Sequence, residues 1–299
     1  MPYKNPADEK ARSRRYRLRT REQRKAEMRE TTTMLAPLQL PTRQLDIKGP
    51  AHGLTVAVVS DAQVRKGIPT NHLAAYGRYI AEKRPDVIVC IGDFADMAAL
   101  STYDIAGSVS AEGKRYSDDI STVRRAMDEL MNPIAKVRGY KPVKVLTYGN
   151  HEHRILRAIE TDPRRLMGVI SLDDLHYADY GWQCIPFLQP VTIGGVAFCH
   201  YFPSGVMGRP VTKPDRILKT LHMSAFAGHQ QGRDISYAKR ADGRDLTAII
   251  SGSFYQHDED YLSPFTNRHW RGTYFLHEVK DGSFDEMALS VNYLLRKFT

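Results

Sequence analysis

Cysteine is scarce: Cys90, Cys184 and Cys199 are the three in 299 residues. An odd, sparse set cannot serve as a disulfide framework. Two of the three lie in apolar runs, which reads as buried thiols in a reducing compartment. No CxxC pair occurs, which excludes a thiolate zinc site. No apolar run approaches the ~18–20 residues that cross a bilayer, so no membrane span is expected. The charged first thirty residues hold no apolar h-region, so a secretory signal is not expected and a cytoplasmic location is. Internal repeats are absent. What is present is ordinary for a globular protein: 42% hydrophobic and 26% charged residues. The length suits one large domain or two small ones, with core enough to need no covalent staple.

The net charge of +9 is unevenly placed. Residues 1–50 hold thirteen Lys/Arg against six Asp/Glu, a net +7, while the other 249 residues hold 30 and 28. We therefore divide the chain into a basic arm and linker, 1–50, and a folded domain, 51–299. The first thirty residues carry eight Arg and three Lys. Helix formers dominate there with little apolar surface, the pattern of a helix that is marginal alone or induced by a partner. Residues 31–50, with Pro37, Pro41 and Gly49-Pro50, read as a linker.

Beyond it β and α patterns alternate. Residues 54–60, 86–91 and 143–148 are apolar and β-branched, as in buried strands. Residues 70–84 and 117–137 have helical spacing, with Ser117 a candidate cap. A βαβαβ series implies a parallel sheet. After residue 180, strand-like runs crowd together at 191–199, 246–251, 272–278 and 286–293, with a helix near 212–222. Gly194-Gly195 reads as a hairpin turn. The expected picture is two stacked sheets with helices outside.

The first three strands end in Ser60-Asp61-Ala62-Gln63, Gly92-Asp93-Phe94-Ala95-Asp96 and Gly149-Asn150-His151-Glu152-His153. In an open α/β sheet, ligands bind beyond the strand C-termini. Two later strand ends add His200 and Gly228-His229-Gln230-Gln231. Carboxylate, amide oxygen and imidazole together are ligands for divalent metals. Two such ions clamp an in-line displacement at phosphorus and activate water near neutral pH. Asp93 suits the bridging position, since Gly92 before it permits close backbone approach.

In this order, Asp-x-x, Gly-Asp-x-x-Asp, Gly-Asn-His-Glu, a lone His and Gly-His-x-x resemble the calcineurin-like metallophosphoesterase superfamily, including its phage and bacterial members. The resemblance covers roughly residues 54–232. It implies an α/β fold, a four-layer αββα sandwich of two mixed β-sheets flanked by helices, and a two-metal centre. By motif position, Asp61 would bind the first ion and Asp93 would bridge both, with Asn150, His200 and His229 completing the second. His151 would stand by the scissile phosphate, and Asp96 and Glu152 would orient ligands. The family usually has Asp-x-His and Gly-His-x-His where this chain has Gln63 and Gln231. An amide oxygen can still ligate a hard cation, so both glutamines are candidate ligands. The first site should then be oxygen-rich and weaker, and favour Mn²⁺ or Mg²⁺ over Zn²⁺ or Fe.

The expected activity is metal-dependent phosphoester hydrolysis, with a nucleic-acid phosphodiester as substrate. Arg12, Arg14, Arg15, Arg17 and Arg19 supply the phosphate-binding argument for that substrate. The alternatives are a phosphatase or small-molecule phosphodiesterase, and a protein-binding scaffold of the kind the retromer subunit represents. The sequence assigns no oligomeric state. His153 and Arg154 read as a solvated first helical turn or a phosphate contact. His257, in a polar cluster, reads as a surface loop, and Tyr201 as a packing residue or a base-stacking one.

Overall fold

The computed structural model describes residues 43–45, 47, 50–102, 112–259 and 263–298, all within the compact unit Thr42–Thr299. The arm's arginines, Arg12 to Arg19, lie outside the described residues. In chain order the elements begin with β1 (Arg43–Leu45), β2 (Leu54–Val59), α1 (Asn71–Lys83), β3 (Val87–Cys90), α2 (Tyr116–Ala135) and β4 (Val143–Thr147). Then come α3 (Arg154–Thr161), α4 (Pro163–Leu166), β5 (Gln183–Ile185), β6 (Val191–Ile193), β7 (Val196–Cys199), β8 (Pro203–Ser204) and β9 (Arg209–Pro210). The chain finishes with α5 (Pro214–Leu221), β10 (Ala225–Ala227), β11 (Asp234–Lys239), β12 (Asp245–Ile250), β13 (Gly272–Lys280), β14 (Ser283–Ser290) and α6 (Val291–Phe298).

Two six-stranded mixed sheets result, ordered β14-β13-β2-β3-β4-β5 and β1-β6-β7-β10-β12-β11. Strand alternation decides how they stack. Val56 and Val58 of β2, Val87 and Val89 of β3 and Val145 of β4 meet Val196 and Phe198 of β7, Phe226 of β10 and Ile249 of β12 in one core between the sheets. The intervening residues Ala57, Val59, Ile88, Cys90 and Leu146 face α1, α2 and α6. On the far side of the second sheet, Ala197, Cys199, Ala225 and Ala227 pack on Ile217 and Leu218 of α5. The layers are helix, sheet, sheet, helix. Strands buried on both faces explain the near-continuous apolar runs in the sequence.

Three differences from the sequence reading have local causes. Arg43–Leu45, read as linker, pairs in parallel with β6 at the sheet edge. Ser117 lies inside the first turn of α2, whose cap is Arg115 without a side-chain bond. The last strand ends at Ser290, not 293. The Ser290 hydroxyl accepts the Tyr293 N–H at 3.1 Å, an N-cap that starts α6. Among the described residues, no helix is long and apolar enough to cross a membrane.

Candidate metal centre

The C-terminal ends of β2, β3 and β4 in one sheet and of β7 and β10 in the other open on the same edge. Asp61, Asp93, Asn150, His200 and His229 are brought together there. Asp93 Oδ2 lies 3.3 Å from His200 Nε2. Asn150 Oδ1 is approached by His200 Nε2 at 2.9 Å and His229 Nδ1 at 2.8 Å. Candidate ligand atoms of Asp93, His200 and His229 all lie within 4.8 Å of one another. His200 Nδ1 bonds the Ile91 carbonyl at 3.0 Å. A carbonyl only accepts, so the neutral ring carries its proton on Nδ1 and turns the Nε2 lone pair inward. Lone pairs converging on one point fit a cation between them.

Asp61 completes the edge on its other side. One oxygen accepts the His229 N–H at 2.7 Å, and Oδ1 is buried with no hydrogen-bond partner among the described residues. A buried, unpartnered carboxylate oxygen is costly unless a cation meets it. Burial pushes the Asp61 carboxyl up to about 8, the His200 ring opposing. For Asp93, burial acts upward too, but the imidazoles of His151 and His200 outweigh it and hold the carboxyl below the usual range. Burial opposes charge on His200, yet Asp93 and Asp61 hold it up to about 9, while burial and His200 push His229 down to about 4.

The backbone is forced into shape here. Gln63, Asp93 and His229 have φ of 42°, 48° and 69°. Such left-handed conformations cost on the order of 1–3 kcal/mol each for non-glycine residues and collect at functional sites. Glu152 supports two of the loops at once. It is fully buried, and its carboxylate accepts the N–H groups of Asp93 and Ala95, each at 3.0 Å, and of Gly149 at 2.9 Å. Tyr177, unnoticed in the sequence, adds its hydroxyl at 3.3 Å.

His151 has its N–H on Asp93 Oδ1 at 2.9 Å and its Nδ1 on Asp96 Oδ1 at 2.8 Å. Its Nε2 lies 3.7 Å from Asp93 Oδ2, and the side chain keeps 16% exposure. Asp96 in turn accepts Arg154, whose Nη1 lies 2.7 Å from its carbonyl and 3.3 Å from Oδ1. Arg154 is buried, not part of a solvated turn. His257 is buried as well, against the surface-loop reading, 2.8 Å from Glu259. Glu259 and Asp96 share Arg65 at 3.2 and 3.5 Å.

The glutamines sit differently. Gln63 is buried, its N–H on the Asp93 carbonyl at 2.8 Å. The side-chain oxygen of Gln231 lies 2.5 Å from Ser253 Oγ and accepts the Tyr255 hydroxyl. Flanking the imidazoles, the half-buried Tyr201 ring is 4.8 Å from His229 and 5.6 Å from Phe187, which stacks on His153 at 4.7 Å.

The sequence profile of the calcineurin-like phosphoesterase family matches residues 54–251, from the first residue of β2 to just past β12. Comparison with curated proteins gives no match. The matched span contains every strand end that meets at the edge described above. The chain belongs to the calcineurin-like phosphoesterase family and is a metal-dependent hydrolase of phosphoesters.

Proposed function

We propose that this protein is a nuclease or related phosphodiesterase that works on nucleic acid with two divalent ions of unequal affinity, Mn²⁺ foremost. The observation that carries the metal assignment is the convergence of His200 Nε2, His229 Nδ1 and Asn150 Oδ1 beside Asp93. These four residues would hold one ion. Asp61, with its unpartnered oxygen, would hold the other together with Asp93. Gln63 and Gln231 are its remaining candidate oxygen ligands. When bound, such ions supply Lewis-acid charge against the phosphoryl oxygens and activate water.

The chain's own groups do the rest. His151, held through Nδ1 by Asp96, presents Nε2 to the phosphoryl or leaving-group oxygen. Asn150 positions the phosphate beside the ion it helps hold. Glu152 and Asp96 keep the loops and the imidazole in place. The nucleic-acid reading is supported by the +7 of residues 1–50 and by Tyr201 and Phe187 beside the imidazoles, whose rings suit base stacking.

The test is hydrolysis of bis-p-nitrophenyl phosphate and p-nitrophenyl phosphate with Mn²⁺, together with labelled DNA and RNA. Turnover of the diester and of nucleic acid is expected. Asp93→Asn and His151→Ala should each lower it by about 10²-fold or more. Turnover of the monoester alone would favour a phosphatase, and turnover of neither would favour a protein-binding scaffold.

A further inference from the structure

Gln231 stands where the family usually places an imidazole, and its side chain is engaged elsewhere. Its Oε1 accepts the Tyr255 hydroxyl and lies 2.5 Å from Ser253 Oγ. The Ser253 N–H donates to the Gln231 main-chain carbonyl at 3.1 Å, and Ser253 Oγ is equally far from that oxygen. Residues 253–255 are therefore strapped to Gln231 through main chain and side chain. Tyr255 has little freedom to leave. It is 1% exposed, stacked on His257 at 4.1 Å and covered by the Arg271 guanidinium at 5.2 Å. The same segment packs on the Asp61 loop, where the Phe254 N–H donates to the Asp61 carbonyl at 2.7 Å.

An amide oxygen has two lone pairs. With hydroxyls on both, Gln231 can take a cation only by giving up at least one of these bonds. We propose that Tyr255, with Ser253, clamps Gln231 out of the metal shell. The chain then holds one divalent ion firmly on Asp93, Asn150, His200 and His229, and admits a second beside Asp61 only when the clamp opens. Tyr255 is thus a positioning residue that sets the metal stoichiometry. The inference rests on the edge being a metal centre, and its test separates the two.

The test strips the full-length protein with a chelator and titrates it with Mn²⁺, reading ions per chain by native mass spectrometry and spin coupling by EPR. Wild type should take a first ion at least tenfold more tightly than a second. Tyr255→Phe should tighten the second ion by roughly two- to tenfold, the worth of one hydrogen bond, and leave the first unchanged. Gln231→His, which replaces the clamped amide by an imidazole, should tighten the second further. Should Tyr255→Phe fail to fold, Ser253→Ala gives the same readout with every main-chain bond intact. Two equal affinities in wild type would overturn the clamp while leaving the metal centre standing. So would a Tyr255→Phe or Ser253→Ala protein in which the second ion does not tighten relative to the first. A wild type that binds no ion would overturn the clamp and the metal centre together.

Discussion

Glu152 accepts three backbone N–H groups and one phenol with a fully buried carboxylate. Each N–H belongs to a loop that carries a candidate ligand or follows one. In Glu152→Gln an NH₂ replaces one acceptor oxygen and faces a donor. The expected outcome is about 1–3 kcal/mol lower stability in urea unfolding. Mn²⁺ affinity should also fall by 10- to 100-fold in a calorimetric titration. A variant as stable and as metal-avid as wild type would refute the role. His72 is a second buried group with a testable consequence. Its Nε2 lies 2.8 Å from the Phe254 carbonyl, and its Nδ1 lies 3.0 Å from the Gln256 amide nitrogen. The carbonyl needs a donor and the amide an acceptor, so the ring is built to be neutral. Burial, the largest cause, pushes it down to about 4. The unfolded chain, titrating near 6.5, binds more protons in the window between, so stability is full above pH 6.5 and falls as pH drops toward 4. The loss is on the order of 3 kcal/mol at its limit. His72→Gln should unfold with a flatter pH profile across that window. An unchanged profile would show that another group governs it.

At the scale of elements, the glycines before the ligands are what let strand ends crowd. A Cβ on Gly149 would collide with the Asp93 carboxylate and N–H, its Cγ being 2.8 Å away. A Cβ on Gly92 would meet the Gly149 nitrogen at 2.6 Å and the Thr147 carbonyl at 2.7 Å. A Cβ on Gly228 would strike Asp61 Oδ1. Gly149→Ala should therefore cost about 1–3 kcal/mol in thermal unfolding and disable Mn²⁺ binding with far-UV dichroism intact. Wild-type metal uptake in that variant would mean the loops have slack that the packing denies. Much at this scale was legible: buried strands gave apolar runs, and strand-end motifs gave Asp61, Asp93 and Asn150. The edge strand β11 was not, because half of it is exposed and carries no alternation. Nor was α6, whose cap Ser290 follows a strand pattern without a break.

For the whole molecule, the question is what the uneven charge does. Residues 51–299 carry 30 Lys/Arg against 28 Asp/Glu, while the basic excess lies in residues 1–50. If the arm recruits nucleic acid, deleting residues 1–30 should weaken DNA or RNA binding. It should also flatten the slope of log K against log salt by roughly 0.9 for each phosphate the arm had neutralised. Turnover of bis-p-nitrophenyl phosphate should be nearly unchanged. Filter binding across a salt series decides it, and identical slopes with and without the arm would remove the arm from recognition.

The sequence by itself determined the residues that follow each strand, because a motif such as Gly-Asn-His-Glu is contiguous in the chain. It also determined the layer pattern, since near-continuous apolar strands and helices with a period-3.6 apolar face are written into the chain. Only the tertiary structure decided which partners those residues meet. Arg154 reaches Asp96 across 58 positions, His72 reaches Phe254 across 182, and Tyr255 holds Gln231 across 24. Such bonds depend on two sheets stacking with their ligand-bearing edges aligned. Stacking is fixed by side-chain packing between distant strands, for which no local pattern in the chain stands as a signal.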